Sequence, residues 1–252
     1  VLGIVLGVYI GVILLLNIPF VQQKFAVFVA KELSRVMGTE LTIGRIDMGL
    51  LNRIIIDDVL LDDQSGKEML KVTRLSAKFE ILPLFKGKIT ISSVQLFGFN
   101  INLNKKTPDS PPNFKFVLDA FASKDTVKTK KDIDLRINSI LIRRGKLSYD
   151  VLSEEETPGK FNPQHIKLHN IIANISLKAL QNDSVNAAIK RLSVDEQSGF
   201  ELRKLSLKVI ANNKGMKIEN FAIEMPGTEM KMDTIRMEYD SLKALNHFAD
   251  NV

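Results

Sequence analysis

Apolar and polar residues alternate over most of this chain, and the stretch KITISSVQLFGFNINLN, from Lys88 to Asn104, shows the pattern clearly. Alternation with a period of two predicts a β-strand that has one buried face and one solvated face. In this stretch the period slips once, because Ile91 and Val94 are three residues apart. We interpret the slip as a β-bulge, which shifts the inward-facing positions by one residue.

The spacing of this stretch recurs elsewhere in the chain. Steps of three, two, five and two residues separate the apolar positions in two segments: Ile91, Val94, Leu96, Ile101 and Leu103, and Ile137, Ile140, Ile142, Leu147 and Tyr149. Looser copies begin at Ile43 and Ile218. A glycine marks the predicted bend in three of the copies, at Gly98, Gly145 and Gly227. Four copies of one hairpin-like unit predict a mostly β, repetitive architecture.

The chain begins with an uncharged apolar run, residues 1–18, which stops at Pro19. As a helix the run would be roughly 27 Å long, close to the hydrocarbon thickness of a bilayer. A cleaved signal peptide is the alternative, but Asn17 to Phe20 offers no small-residue cleavage site. The run therefore predicts a transmembrane anchor. Four-residue spacing places three glycines on one face, where a partner helix can approach closely: Gly3, Gly7 and Gly11.

A second helix is predicted over residues 19–38, with Pro19 at its start and Gly38 at its end. Its apolar residues follow helical spacing and form one stripe: Val21, Phe25, Phe28, Val29, Leu33 and Val36. Such an amphipathic helix either lies on the membrane surface beside the anchor or caps the end of the sheet that follows. Capping is the interpretation that we prefer.

The β domain, predicted over residues 39–252, needs a cover for its apolar face. Helices are scarce downstream, and Asn113 to Ser123 is the main candidate. A closed outer-membrane barrel would also alternate, but a retained apolar helix argues against export to that membrane. We therefore predict either a sandwich or an open, curled, antiparallel-type sheet with an apolar groove. The predicted inward set would line the groove, or form ordinary core in a sandwich: Ile89, Ile91, Val94, Leu96, Ile101, Leu103, Leu135, Ile137, Ile140, Ile142, Leu147, Tyr149, Ile218, Phe221 and Ile223.

Composition excludes several functions. The 252 residues include no cysteine, which excludes disulfides, thiolate zinc sites and cysteine nucleophiles. The net charge is +6, and the lysines and arginines are spread along the chain, so nucleic acid is not a predicted partner.

The polar motifs suggest turns and strands. His165 and His169 would suit zinc on a helix, but the residues between them alternate as in a strand, which separates the two histidines by roughly 13 Å. Asp62 to Glu68 is predicted to be a hairpin turn, in preference to a calcium loop. Residues 105–132 are predicted to hold a proline-rich loop and a charged linker. We therefore predict no metal site, no cofactor and no enzymatic activity.

The order of these segments resembles a known family. An N-terminal anchor is followed by IPFVQQKFAVFVAKELSRVMGTELTIGRIDMGLLNRIIIDDVLLDD and then by ILPLFKGKITISSVQLFGFNINL. This arrangement is similar to the N-terminal region of AsmA-like proteins, and most similar to the TamB type of Bacteroides-group bacteria. The resemblance implies a single-pass inner-membrane protein whose periplasmic β-sheet curls into an apolar groove. It implies no catalytic residues.

The same resemblance implies two functions. The first is a bridge whose groove carries phospholipid acyl chains between the inner and outer membranes, so that membrane phospholipids are the partners. The second is an interaction scaffold that assists the assembly or insertion of outer-membrane proteins, with an outer-membrane assembly protein as its partner.

Overall fold

The computed structural model describes residues 3, 7, 11, 18–49, 52–80, 89–122, 133–134, 138–181 and 184–239. Two helices have described bounds, α1 (Pro19–Met37) and α2 (Lys115–Ala122). The remaining elements are strands: β1 (Leu41–Gly49), β2 (Arg53–Asp62), β3 (Glu68–Phe79), β4 (Ile89–Lys105), β5 (Ile133–Asp134), β6 (Ser139–Val151), β7 (His165–Gln181), β8 (Ser184–Glu196), β9 (Glu201–Asn212), β10 (Gly215–Met225) and β11 (Thr228–Glu238).

All the strands belong to one sheet. Ten of them follow chain order from β1 to β11, and the two-residue β5 pairs with β4 beside this path. Among the described residues the sheet is open, since β1 and β11 form its two ends. The prediction of a mostly β fold is confirmed.

The predicted antiparallel arrangement is wrong around β4, which pairs in parallel with both β5 and β6. Parallel neighbours require a crossover connection, because the chain must return to the end of the sheet from which it started. Helix α2 lies in that connection, within the predicted loop region of residues 105–132. The other neighbouring strands along the path are antiparallel.

The predicted hairpin-like copies are of two kinds. The copies that begin at Ile43 and Ile218 are hairpins, β1–β2 and β10–β11. In the second of these, Gly227 adopts a φ of 72° in the turn between the strands. The copies around Leu96 and Ile142 lie within single long strands, β4 and β6. For these two copies the hairpin prediction is wrong, because the bend is a bulge within the strand.

These bulges form a line across the sheet. Four residues, one each in β2, β4, β6 and β7, adopt φ values between 54° and 63°: Asp58, Gly98, Arg144 and Asn170. The strand registers place them at about the same height along their strands. A residue in this conformation interrupts the regular alternation of side chains along its strand. Opposite Gly98, Thr73 Oγ1 lies only 2.7 Å from where a Cβ would stand, so this bulge has no room for a larger residue.

Helix α1 packs on the β1 end of the sheet through small residues. Its buried residues are Gln22, Ala26, Ala30 and Met37. Ala26, Ala30 and Met37 form the buried core with residues of β1, β2, β3 and α2: Leu41, Ile43, Ile46, Leu61, Met69 and Phe116. The predicted capping role is confirmed.

The predicted apolar stripe of α1 is not the surface that packs on the sheet. Val21 and Val29 are half-buried, whereas the other four members are exposed: Phe25, Phe28, Leu33 and Val36. The physical reason is size, because alanine lets a helix backbone approach the sheet closely and larger side chains would hold it away.

Polar side chains of α1 fix it to the edge strand β1. The Ser34 hydroxyl accepts a hydrogen bond from the backbone N–H of Leu41 at 2.9 Å and donates to its carbonyl oxygen at 3.2 Å. The buried Gln22 amide donates to the Asp47 carboxylate. By occupying the backbone N–H and C=O groups of Leu41, α1 hinders the pairing of another chain with that end of β1.

The predicted anchor lies outside the described residues, except for Ile18 and three exposed glycines in helical conformation, Gly3, Gly7 and Gly11. Each of these glycines has open space where a Cβ would stand. Within the described part of the chain, no helix combines the length and the apolar character needed to cross a bilayer.

The turn predicted over Asp62 to Glu68 is confirmed. It joins β2 to β3 and contains Gly66 with a φ of 77°. The Asp63 carboxylate accepts hydrogen bonds from the backbone N–H groups of Ser65 and Lys67, which is how an aspartate stabilises a turn.

Candidate binding face of the sheet

One row of apolar side chains crosses all ten strands of the path without interruption. Each member is directly opposite the next in the strand register, so all of them lie on the same face. We call these residues the central row: Ile46, Ile56, Leu75, Leu96, Ile142, Ala173, Leu192, Leu205, Ile223 and Met230. With strands about 4.8 Å apart, the row is about 43 Å long.

Further apolar rows run beside it on the same face. One crosses eight strands, from β1 to β9: Met48, Ile54, Ala77, Val94, Ile140, Ile175, Ile189 and Leu207. Another crosses six strands: Leu41, Leu61, Leu70, Ile101, Leu147 and Leu168. The side of the sheet that carries these three rows is called the apolar face.

The opposite face of the sheet is polar. One row on that face runs from β3 to β11: Lys78, Ser93, Ser139, Ser176, Ala188, Lys208, Glu219 and Thr234. Within it, Lys208 Nζ lies 2.6 Å from the Glu219 carboxylate. Hydrogen bonds from Lys208 and Lys217 lower the pKa of Glu219 to about 2. The sheet is therefore one-sided, as the alternation predicts.

The structure places twelve of the predicted groove residues on the apolar face, and every one of these is half-buried: Ile91, Val94, Leu96, Ile101, Leu103, Ile140, Ile142, Leu147, Tyr149, Ile218, Phe221 and Ile223. Ile89 begins β4, whereas Leu135 and Ile137 lie outside the described residues. Half-burial indicates that these side chains pack beside one another on an open sheet. A sandwich core would bury them more completely.

Sequence reasoning missed one central contact on this face. Phe99 is buried, and its ring lies over Gly145, where an added Cβ would stand 2.3 Å from the Phe99 Cζ atom. The repeat pattern assigns no inward-facing position between Leu96 and Ile101, and Phe99 lies in that gap. The sequence could have indicated Phe99 as an inward-facing residue, because it lies three residues after Leu96, the same step that separates Ile91 from Val94.

An ion-pair cluster holds the bulge line together on the polar face. Asp57 is buried and accepts hydrogen bonds from Arg74 Nε at 2.6 Å and from Arg45 at 2.8 Å. The hydrogen bond from Arg74 is the main reason that the pKa of Asp57 lies below its usual value, and Arg45 lowers it further. The cluster ties β1, β2 and β3 together where the strands change faces.

We expect Asp57→Asn to reduce the free energy of unfolding by about 1–2 kcal/mol at pH 7, because three charge-assisted hydrogen bonds, two from Arg74 and one from Arg45, are weakened or lost. The native pKa of Asp57 is lowered, so its contribution is complete above its ordinary value of 3.8 and is lost as the pH falls below it. Urea unfolding at pH 7 and near pH 3 measures both effects. Asp58→Asn is the matched control, since Asp58 is exposed and asparagine tolerates its positive φ. An equal loss in both variants would contradict the assignment.

The buried His165 stabilises the loop between β6 and β7. Its Nδ1 lies 3.0 Å from the Asp150 carboxylate, and its Nε2 lies 3.0 Å from the Glu154 carbonyl oxygen. The Asp150 carboxylate is the main reason that the pKa of His165 is raised. Asp150, Glu156 and His165 are close enough together to hold a metal ion. Since both ring nitrogens already have partners, we interpret this cluster as a structural one. His169 lies in the same strand, β7, as the alternation predicts.

The central row offers apolar contacts. The central row contains no polar side chain, so the row can bury hydrocarbon and offers no group for acid–base chemistry. No protein-family model matches this chain, and comparison with curated proteins finds no match.

Proposed function

We propose that the apolar face binds the acyl chains of phospholipids and carries them between two membranes. The central row is the observation that supports this most directly, since beyond Ile46, which lies buried under α1, it offers one apolar path across nine strands, from β2 to β11. This part of the row is about 38 Å long, whereas the hydrocarbon of one leaflet is about 15 Å thick, so more than one acyl chain fits along it.

The energetics favour hydrocarbon as the cover of this face. Each methylene that leaves water contributes about 0.8 kcal/mol, so even partial coverage of the rows by an acyl chain stabilises both partners. The head group needs no specific site, because the sheet is open and a charged group can remain in water. This agrees with the absence of polar side chains from the central row.

The proposal includes a location. The uncharged apolar run of residues 1–18 would anchor the protein in the inner membrane, and the sheet would extend into the periplasm, curled into a groove toward the outer membrane. The bulge line supports curling, since bulges bend strands and increase their twist. The resemblance to AsmA-like proteins of the TamB type has the same implication.

Photo-crosslinking in membranes tests the proposal. A crosslinking residue at Ile142 is expected to capture phospholipid, whereas one at Leu141 is not. These neighbours are a matched pair, because both are apolar and half-buried but Leu141 pairs with Gln95 and Asn174 on the polar face. Equal capture at both positions, or capture at neither in folded protein, would refute lipid binding by the apolar face.

A further inference from the structure

Helix α1 carries an unusual concentration of exposed apolar side chains. The described chain has fifteen large exposed apolar residues, and seven of them lie between Ile18 and Val36. Three are phenylalanines, Phe20, Phe25 and Phe28, with exposed fractions of 66%, 44% and 60%. Concentrated exposure of this kind marks an interaction surface, whereas single exposed apolar residues are ordinary.

These exposed side chains do not contribute to the packing of α1 on the sheet. Helix α1 already packs on β1 through Ala26 and Ala30, and Ser34 bonds to the edge strand. The N-cap residue Ile18 and six exposed residues of α1, which together we call the free surface of α1, are therefore available to a second partner: Ile18, Phe20, Phe25, Val27, Phe28, Leu33 and Val36.

The charges and the sequence context of α1 identify that partner as a lipid bilayer. The helix carries three cations, Lys24, Lys31 and Arg35, against one anion, Glu32. Aromatic and aliphatic side chains beside cations are typical of helices that lie in the interface of anionic membranes. The helix also follows directly on eighteen uncharged, mostly apolar residues, which places it next to any membrane that those residues enter.

We propose that α1 lies in the interface of a phospholipid bilayer. The free surface of α1 enters the boundary between head groups and acyl chains, and Lys24 and Lys31 contact anionic head groups, whereas Arg35 is paired with Glu32. Because α1 is fixed to β1 by packing and by Ser34, this arrangement holds the β1 end of the sheet against the membrane. The proposal does not rest on lipid transport, since a helix can bind the bilayer surface whether or not the sheet binds acyl chains.

The absence of native cysteine makes a direct test possible. In the full chain, reconstituted in vesicles of phosphatidylethanolamine and phosphatidylglycerol, the variant Phe28→Cys is labelled with an environment-sensitive fluorophore. Phe161→Cys is the matched control, because Phe161 is equally exposed but lies in the loop between β6 and β7. We expect a blue-shifted emission and quenching by nitroxide lipids at position 28 only. We also expect severalfold less quenching by iodide there than at position 161.

Several outcomes would overturn the proposal. Equal iodide quenching at both positions would show that α1 stays in water. Efficient disulfide dimer formation by Phe28→Cys would show that a second copy covers the free surface of α1. The charge variant Lys24→Glu/Lys31→Glu is expected to lose most of the blue shift, and an unchanged shift would refute the role of anionic head groups. Phospholipid capture at Ile142 is a separate measurement, so failure of this proposal and failure of the transport proposal are distinguishable.

Discussion

Replacing Ile142 by aspartate is expected to abolish most phospholipid capture by the apolar face while the protein stays folded. Ile142 lies near the middle of the central row, between Leu96 and Ala173. An acyl chain at this point would lose the contact of an isoleucine, about 1.5–3 kcal/mol, and would also have to desolvate a carboxylate. Since 1.4 kcal/mol corresponds to a tenfold change, we expect capture to fall by more than about tenfold.

The fold should tolerate this change, because Ile142 is half-buried on an open sheet and its replacement keeps access to water. We expect the free energy of unfolding to fall by only about 1 kcal/mol. Leu141→Asp is the matched control, since it places the same charge one residue away on the polar face. Capture from a crosslinking residue at Leu96, measured in each variant, is the readout. Equal capture in Ile142→Asp and wild type would refute a continuous acyl path along the central row.

The same variant separates transport from scaffolding. In cells, loss of outer-membrane integrity by Ile142→Asp, with normal protein levels, would support the acyl path. A scaffold for outer-membrane proteins would act through strand pairing at an edge of the sheet, and a charge in the central row would leave it active. Unchanged integrity together with protein adducts from β11, the edge strand opposite β1, would favour the scaffold.

The one-sided sheet could be predicted from the sequence because strand alternation is a local property. Leu96 and Ile142 occupy equivalent steps in two copies of the repeat, and the structure pairs them directly. The parallel pairing of β4 with β6 could not be predicted in this way. The pairing depends on the connection that contains α2, which brings the chain back to the end of the sheet where β4 began. The alternation of apolar and polar residues in a strand does not indicate the direction of the neighbouring strand.

The bulges, too, could be predicted from the sequence only in part. The pattern predicts a change of face in each strand, but it does not show which residue adopts the positive φ. In β4 that residue is a glycine, Gly98, whereas in β6 it is Arg144, one residue before the glycine that the pattern selected. The contact face of α1 was also beyond a hydrophobicity argument, because the sheet selects Ala26 and Ala30 by size and leaves the larger side chains exposed.

Gly145→Ala is expected to destabilise the protein by about 1–3 kcal/mol, the usual cost of overpacking. The added Cβ would stand 2.3 Å from Phe99 Cζ and 3.0 Å from Ile171 Cβ, so the Phe99 ring must move. Gly145 is not among the glycines with positive φ, so the expected cost is a steric one. Denaturant-induced unfolding of the purified protein measures it.

A double-mutant cycle identifies the Phe99 ring as the cause. Phe99→Leu removes the ring atoms nearest to Gly145 and should cost about 1 kcal/mol alone. In that background Gly145→Ala should be nearly neutral, which gives a favourable coupling of about 1–2 kcal/mol. Additive losses would show that the ring does not occupy the space above Gly145. Favourable coupling would mean that a glycine is needed at position 145 because the Phe99 ring occupies the space of its side chain. The ring then fills the apolar face between Val72 and Ile171, where β6 contributes no side chain.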